Sequence, residues 1–592
     1  LETLPNIDIN LKCGNSLIHR FALDADLAPA LRKSKWNMDS YRLAVEQYRH
    51  ADDKALKREM ERLIDTIKGD LQVGISQETK AVRDLNKAKN EYYLAYEKEQ
   101  LFDTEGKTRP TRRQNERRRK LEEKINKLSQ VVDDLKNNVL FTNAFEWRFE
   151  FPEVLDDAGR FTGFDVVIGN PPYIRQEAFK EIKPYLKEQY RTFAGTADLF
   201  TYFIELGLLL LRPQGQFTFI VPNKWMRSGY GKALRIYLQE LAVQHIIDFG
   251  DLPVFEEAIT YPCVLHVEKV PGGHGFPAAT LTELPGERSL DELIAAAEVQ
   301  VQPASLSEGG WVLVDARIQA VIDKLRGAGR PLGEYLGGKI FYGIKTGLNE
   351  AFVIDAATRD RLIAEDPRSA EVIKPFLAGK DIRRYERPVS NKYLIFTRRG
   401  IDIDEYPAIR RHLEGFREGL EPRPAGNMDK NWPGRKSGNY RWFEIQDSID
   451  YWNLMDRPKI LYQEIAMSHA FAYDEAGLYV NNKLFMIVDV PMELLGYLNS
   501  SVVWFMLWHT TTRLRGDALA MQSPYILGLP VHPAIMDDQT LGSKTLEVLE
   551  LKSADPAIDT SLIERKIDTL VYRLYGLTEE EIALVEGAVG RG

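Results

Sequence analysis

Asn170, Pro171, Pro172 and Tyr173 stand directly after the apolar run FDVVIG, Phe164 to Gly169. A proline cannot continue an interior strand, so two in succession hold a rigid turn at a strand's carboxyl end. The asparagine offers an amide oxygen that accepts a hydrogen bond. The prolines donate nothing, which leaves the Pro171 carbonyl as a second acceptor, and Tyr173 adds a flat face for stacking. Two acceptors and a ring suit an aromatic amine. The exocyclic amine of adenine is a weak nucleophile because its lone pair is delocalised into the ring. Holding both N–H groups favours a pyramidal nitrogen that can attack a methyl sulfonium directly, with no covalent enzyme intermediate. An adenine inside a duplex must first be flipped out of the stack to reach such a pocket.

The flanking sequence supplies elements that can position these residues. From about 145 to 270, apolar strands alternate with helices: FDVVIG, the apolar helix DLFTYFIELGLLLL (Asp198 to Leu211), then QFTFIVPNKW, VQHIIDFGD (Val243 to Asp251) and YPCVLHVEKV (Tyr261 to Val270). This alternation indicates an α/β fold with a mostly parallel sheet, and ligands in such sheets sit beyond the strands' carboxyl ends. INLKCGNSL (Ile9 to Leu17) reads as a short buried strand and turn. Residues 1–34 would begin the same core, and 141–275 would complete it. Between them, 35–140 is rich in Lys, Glu, Arg and Gln. Leu121, Ile125, Leu128 and Val132 recur there at helical spacing, which predicts a helical hairpin or coiled-coil insertion turning near EGKTRPT (Glu105 to Thr111). Residues 276–332 read as a connecting region. Residues 333–532, with short strands such as KYLIF (Lys392 to Phe396) and KILYQEI (Lys459 to Ile465), read as a second α/β domain, and 533–592 as a helical tail.

Bulk properties exclude some classes. The chain of 592 residues has two cysteines, Cys13 and Cys263, and no Cys/His cluster. That argues against a disulfide framework or a zinc ribbon and fits a reducing cytoplasm; no metal is expected. No apolar run reaches about 18 residues, so no membrane span is predicted. The net charge of −9 disfavours nucleic acid only on average, because phosphate contacts are short-ranged under screening. KTRPTRRQNERRRK (Lys107 to Lys120) is either a solvated helix end or a phosphate-facing patch. Cys263 follows a proline but alternates with apolar residues in a strand, so it reads as a core residue and not as a nucleophile.

GNPPY, together with KCGNSL, FEWRFEFPEV (Phe145 to Val154), ADLFTYFIELGLLLLRPQGQFTFIVPNKW and VFEEAITYPCVLHVEK (Val254 to Lys269), resembles the γ-class DNA adenine-N6 methyltransferases. More narrowly, it is similar to the large restriction–modification polypeptides of type IIG. GIKTGLNEAFVID (Gly343 to Asp355), NKLFMIV and LLGYLNSSVVWFML resemble parts of their target-recognition domain. The resemblance implies that Asn170, Pro171, Pro172 and Tyr173 hold the target adenine, that Phe255 or Tyr261 stacks on it, and that Asn15 reaches the cofactor S-adenosylmethionine. Phe255 as a packing residue and Asn15 as a turn former remain open readings. Double-stranded DNA is the implied partner. Lys345, Arg383, Arg384, Arg435, Lys436, Arg441, Arg513 and Arg515 are its candidate contacts, because Arg and Lys read guanine or hold phosphate.

The family's glycine-rich cofactor loop should precede KCGNSL, and the residues before that motif contain no glycine. In the family sheet order 3-2-1-4-5-7-6, strands 1 and 2 would be missing. The cofactor site is therefore expected to be incomplete: the missing half is supplied by a complementary protein segment or subunit, belongs to a longer parent chain of which this is a large fragment, or is replaced by the helical insertion, and this chain alone is expected to be weakly active or inactive. Two alternatives stand beside the adenine methyltransferase: a non-catalytic specificity or assembly subunit, and an RNA or protein-glutamine N-methyltransferase. No paired-acid-plus-lysine constellation of a nuclease is attached to a strand.

Overall fold

The computed structural model describes residues 7–589 apart from 24–30, 32–34, 79, 98–111, 138–140, 142, 256–259, 304–305, 308–309, 380–381, 428, 430 and 515–517. The chain forms two compact units. The first comprises Leu1–Val221, Ala233–Ile246 and Val264–His274; the second comprises Pro222–Lys232, Ile247–Cys263 and Gly275–Gly592.

In the first unit the polar insertion is helical, as its period predicts: α1 (Met38–Arg49), α2 (Lys54–Glu78), α3 (Lys80–Tyr92) and α4 (Arg112–Asn137). Asn37 caps α1 by accepting from the Ser40 N–H at 2.7 Å, satisfying one of the amides a helix start leaves open. Tyr41, Ala44, Val45 and Tyr48 of α1 meet Met60, Ile64, Ile67 and Leu71 of α2, together with Phe21, Phe149 and Leu155. This apolar cluster ties the base of the insertion to the core. α3 and α4 run antiparallel, with Tyr92 bonded to Glu122 at 2.6 Å and Arg117 near Glu91. Leu121 is buried and Ile125 and Leu128 half-buried on the predicted stripe. The expected turn at 105–111 lies outside the described residues.

Four strands of one sheet follow: β1 (Phe164–Gly169), β2 (Leu211–Pro222), β3 (Leu241–Asp248) and β4 (Pro262–Pro271), in the order β1-β2-β4-β3. β1 and β2 are parallel, with Gly169 opposite Phe219. β2 starts earlier than predicted: Leu211–Gln214 is already strand, with Gln214 at φ +66° and an irregular register beside Phe164. Between α5 (Lys183–Gln189) and β2 lies α6 (Phe200–Leu209), buried on nearly all sides. Gly207 lets α6 approach β2, since a Cβ there would stand 2.6 Å from the Phe217 ring.

Two expectations are corrected. FDVVIG is not a buried strand: β1 ends the strand order, and Val166 and Ile168 are 59% and 78% exposed. Val166 and Ile168 share one face of β1, and that face is uncovered among the described residues. Ile9–Leu17 is not a buried strand either. Ile7–Asn10 forms a 3₁₀ turn, Leu11 is exposed, and Asn15 makes only an isolated bridge to Ala144.

The second unit contains the antiparallel pair β5 (Phe276–Thr280) and β6 (Glu298–Val301), and two four-stranded sheets. One sheet has the order β7 (Phe341–Tyr342), β15 (Leu484–Val488), β11 (Lys459–Gln463), β13 (Phe471–Asp474). The other has the order β8 (Val353–Asp355), β10 (Lys392–Ile395), β9 (Ile373–Leu377), β14 (Tyr479–Val480). A short pair, β12 (Ile465–Ala466) with β16 (Leu519–Ala520), follows β11. Helices α7 (Met492–Leu498) and α8 (Ser501–Thr510) are almost wholly buried, and α9 (Gln539–Ala554), α10 (Ser561–Leu574) and α11 (Glu579–Val589) pack on them as the helical tail. Lys459 and Asp474 form a fully buried ion pair inside the first of these sheets.

Candidate active site

β1 delivers its carboxyl end to Asn170, whose side chain is exposed and accepts or donates no hydrogen bond among the described residues. Pro171 is buried and Pro172 exposed. The Pro171 carbonyl likewise accepts nothing among the described residues. The Tyr173 hydroxyl donates to the Ile220 carbonyl of β2 at 3.2 Å, which fixes the half-buried ring. The chain then returns to the core where the Leu199 N–H donates to the Ile174 carbonyl at 2.9 Å. Gly169 is needed for this geometry, because a Cβ would lie 3.0 Å from the Phe219 ring across the strand pair. Two oxygen acceptors and an anchored ring therefore sit at a strand end. They can hold a planar amine by its two hydrogens.

Asn15 also belongs to the first unit. Its backbone pairs with the 143–145 segment, Asn15 N–H to Asn143 O at 2.7 Å and Phe145 N–H to Asn15 O at 3.2 Å. Its side-chain oxygen accepts from the Leu17 N–H at 3.3 Å, the geometry of an Asx turn. The Asn15 side chain remains exposed. Around it, Trp147 donates to the Ser16 carbonyl and Tyr190 to the Leu17 carbonyl, and burial raises the Tyr190 hydroxyl's pKa. Glu146 accepts from the Arg20 and Phe21 N–H groups, and burial raises its carboxyl above the usual range. The residues present fit S-adenosylmethionine at one edge only. The described positive-φ glycines of the first unit are Gly159, Gly163 and Gly273, and none joins a strand's carboxyl end to a helix start.

Phe255 and Tyr261 lie in the second unit and are half-buried. The Tyr261 carbonyl accepts from the Asn223 N–H at 2.7 Å, and the Lys224 ammonium sits 5.9 Å from the Tyr261 ring centroid. Asp248 was not singled out from the sequence. It is buried, and one of its oxygens accepts from Asn223 Nδ2 at 2.8 Å and from the Gly250 N–H at 3.0 Å. Gly250 has φ +55°, and the chain from there to Val254 is turned back on itself by two further backbone bonds. Asp248 thus sets how the segment bearing Phe255 leaves β3. A signal was available, since Asn223 follows a strand end as Asn170 does, with the proline before it instead of after. Cys263 is fully buried and burial pushes its thiol up, which agrees with a core role. Among the described residues no group of His, Cys, Asp and Glu could hold a metal ion, and no helix is long and apolar enough to cross a membrane.

The basic residues of the second domain divide. Lys345, Arg383, Lys436 and Arg441 are exposed. Arg513 is half-buried, its guanidinium 4.2 Å over the Trp508 ring. Arg515 lies outside the described residues. Two expected DNA contacts are turned inward. Arg384 pairs with Glu564 at 2.6 Å and donates to the Asn499 carbonyl. Arg435 is 4% exposed and donates to the carbonyls of Leu420, Thr346, Glu444, Arg441 and Trp442. Burial pulls its pKa down to about 10, so it stays a cation. With every donor direction used inside the protein, it cannot reach a phosphate without abandoning these partners.

Two protein families match successive parts of the chain. Residues 18–255 match the Eco57I restriction-modification methylase family, and residues 374–531 match the TaqI-like C-terminal specificity domain. The chain is 29% identical over 445 residues to the type II methyltransferase M.PaeR7I of Pseudomonas aeruginosa, covering 72% of each chain. It is 25% identical over 464 residues to M.BstVI of Geobacillus stearothermophilus, covering 73% of this chain and 77% of that one. Its fold resembles that of MmeI, a type IIL restriction-modification enzyme solved in complex with DNA, with a TM-score of 0.52 at 12% identity. That match covers 80% of this chain and 63% of MmeI. Residues 18–255 thus carry an Eco57I-like methylase domain and residues 374–531 a TaqI-like specificity domain, and the chain is similar to type II methyltransferases.

Proposed function

We propose that the protein methylates the N6 amine of adenine at a specific site in double-stranded DNA, on a base flipped from the duplex. The observation that carries this reading is the pair of unengaged acceptors, Asn170 amide and Pro171 carbonyl, beside the Tyr173 ring anchored on Ile220. The amine would donate one hydrogen to each acceptor. Its ring would lie on Tyr173. S-adenosylmethionine supplies an electrophilic methyl group when bound. This chain's residues hold the amine, exclude its planar resonance form and keep its lone pair directed outward. Lys345, Arg383, Lys436, Arg441 and Arg513 are the basic side chains we assign to DNA. DNA binding is further supported by the specificity-domain match and by MmeI having been solved with DNA.

A second reading has its own observation. The described residues contain no cofactor loop, and the outer edge of β1 is unpaired with Val166 and Ile168 exposed. A polypeptide segment carrying that loop would pair with the free edge of β1. Without it the chain acts as a DNA specificity component, with weak methylation or none.

Nucleoside analysis of genomic DNA from cells expressing the protein tests the first reading. N6-methyladenine is expected, and Asn170→Ala should remove it. A methylated cytosine in its place, or methylation confined to RNA or protein, would overturn the reading.

A further inference from the structure

The specificity domain contains a cleft of about 430 Å³ lined by Gly379, Gln463, Glu464, Ile465, Asn481 and Lys483. Its chemistry is mixed in an unusual way. Gln463 and Asn481 are each held by one half of the amide only. Gln463 Nε2 donates to the Gly379 carbonyl, which leaves its Oε1 unengaged among the described residues. Asn481 Oδ1 accepts from the Lys483 N–H at 3.2 Å, which leaves its Nδ2 donors unengaged among them. Ile465, beside them, is 50% exposed. On the rim Lys483 pairs with Glu464 at 2.7 Å, and the lysine side chain is 61% exposed. Unengaged acceptor, unengaged donor, apolar surface and a paired charge are the groups that distinguish base pairs in the major groove. Amides suit adenine, Lys suits guanine, a carboxylate accepts from cytosine and an apolar side chain meets the thymine methyl.

Two neighbours strengthen the case. The loop bearing exposed Lys345 is fastened to the cleft wall. Asn482 N–H donates to the Ile344 carbonyl at 3.0 Å, and a Cβ on Gly343 would collide with the Asn481 carbonyl at 2.1 Å. The segment bearing Arg513 is fastened to the other side, through the β12–β16 pair and the Met521 N–H on the Glu464 carbonyl at 2.8 Å. A cleft of base-reading groups flanked by two cationic loops matches a duplex, with phosphates on the cations and base edges between them. The amides are also preorganised, since each is tied to backbone and cannot rotate without losing that bond. Gly379 keeps the cleft open, because a Cβ there would press on Lys483 at 3.1 Å.

We propose that Gln463 and Asn481, with Ile465 and Lys483, read base edges of the DNA target in the major groove. The inference rests on the proposed action on DNA. The test is selection of bound duplexes from a randomised pool by the full chain, comparing wild type with Gln463→Ala, Asn481→Ala and the rim variant Lys483→Ala. Wild type should enrich one motif. The two amide variants should lose about 3- to 10-fold discrimination at one or two positions of it, the range for one lost hydrogen bond to a base edge. Lys483→Ala, on a side chain that is 61% exposed, should relax one position likewise. Binding to random duplex at low salt should fall less than binding to the motif in all three. Variants that enrich the wild-type motif, or that lose affinity equally for every sequence, overturn the assignment while leaving the DNA reading intact. A wild-type protein that enriches no motif overturns both.

Discussion

Tyr173 separates two contributions that one aromatic side chain can make. Its hydroxyl holds the ring on Ile220, and its face would carry the base. Tyr173→Phe loses one hydrogen bond, about 1 kcal/mol, and should keep most methylation in cells. Tyr173→Ala loses the platform, about 1–3 kcal/mol per stacked base, and should lower methylation by at least tenfold. Equal losses in both variants would mean that the ring does not stack on a base. Arg435 poses the opposite case. Arg435→Ala strands the carbonyls of Leu420, Glu444 and Trp442, while those of Thr346 and Arg441 keep backbone partners; each stranded carbonyl costs about 1–3 kcal/mol when buried, so the thermal midpoint should fall steeply. The salt dependence of DNA binding should keep its slope in Arg435→Lys, while Lys436→Ala should flatten it by about one unit. The contrast shows how far residues were legible in the sequence. An Asn-Pro-Pro-Tyr run after a strand restricts its own backbone, so its chemistry can be read locally. An arginine in a glycine-rich loop looks the same whether it faces phosphate or five carbonyls, and only the fold decides.

At the scale of elements, β1 is the exposed feature. An apolar strand edge with uncovered Val166 and Ile168 invites pairing with another chain. Val166→Lys with Ile168→Lys should reduce concentration-dependent association in sedimentation runs. It should change the melting temperature little, since both side chains already face solvent. A loss of several degrees would show that they are packed in solution. His469 gives a pH test in another element. It is buried against Trp504, and burial, with Arg384 nearby, holds it well below its ordinary 6.5. Its folded pKa lies below the unfolded one, so the unfolded chain binds the extra proton. Stability should fall as pH drops below about 6.5, by up to about 1.4 kcal/mol per unit from this one group. His469→Phe should flatten that slope, and an unchanged slope would refute the assignment. The strands of the sheet were legible because apolar runs punctuated by Gly, Pro and Asn have few other structures open to them. Ile9–Leu17 was not. Its short apolar pattern fits a strand, but in the described fold its only ladder contact is the isolated bridge at Asn15.

For the whole molecule, the two matches divide the chain into a methylase domain over 18–255, which bears the proposed amine-holding acceptors, and a specificity domain over 374–531, which bears the proposed base-reading cleft. The net charge of −9 places DNA affinity on local cations, not on the overall field. The most direct measurement of the central claim is the identity of the methylated nucleoside in DNA from cells expressing wild type or Asn170→Ala. The account predicts N6-methyladenine at one sequence in wild type and none in the variant. N6-methyladenine that persists in Asn170→Ala would contradict it.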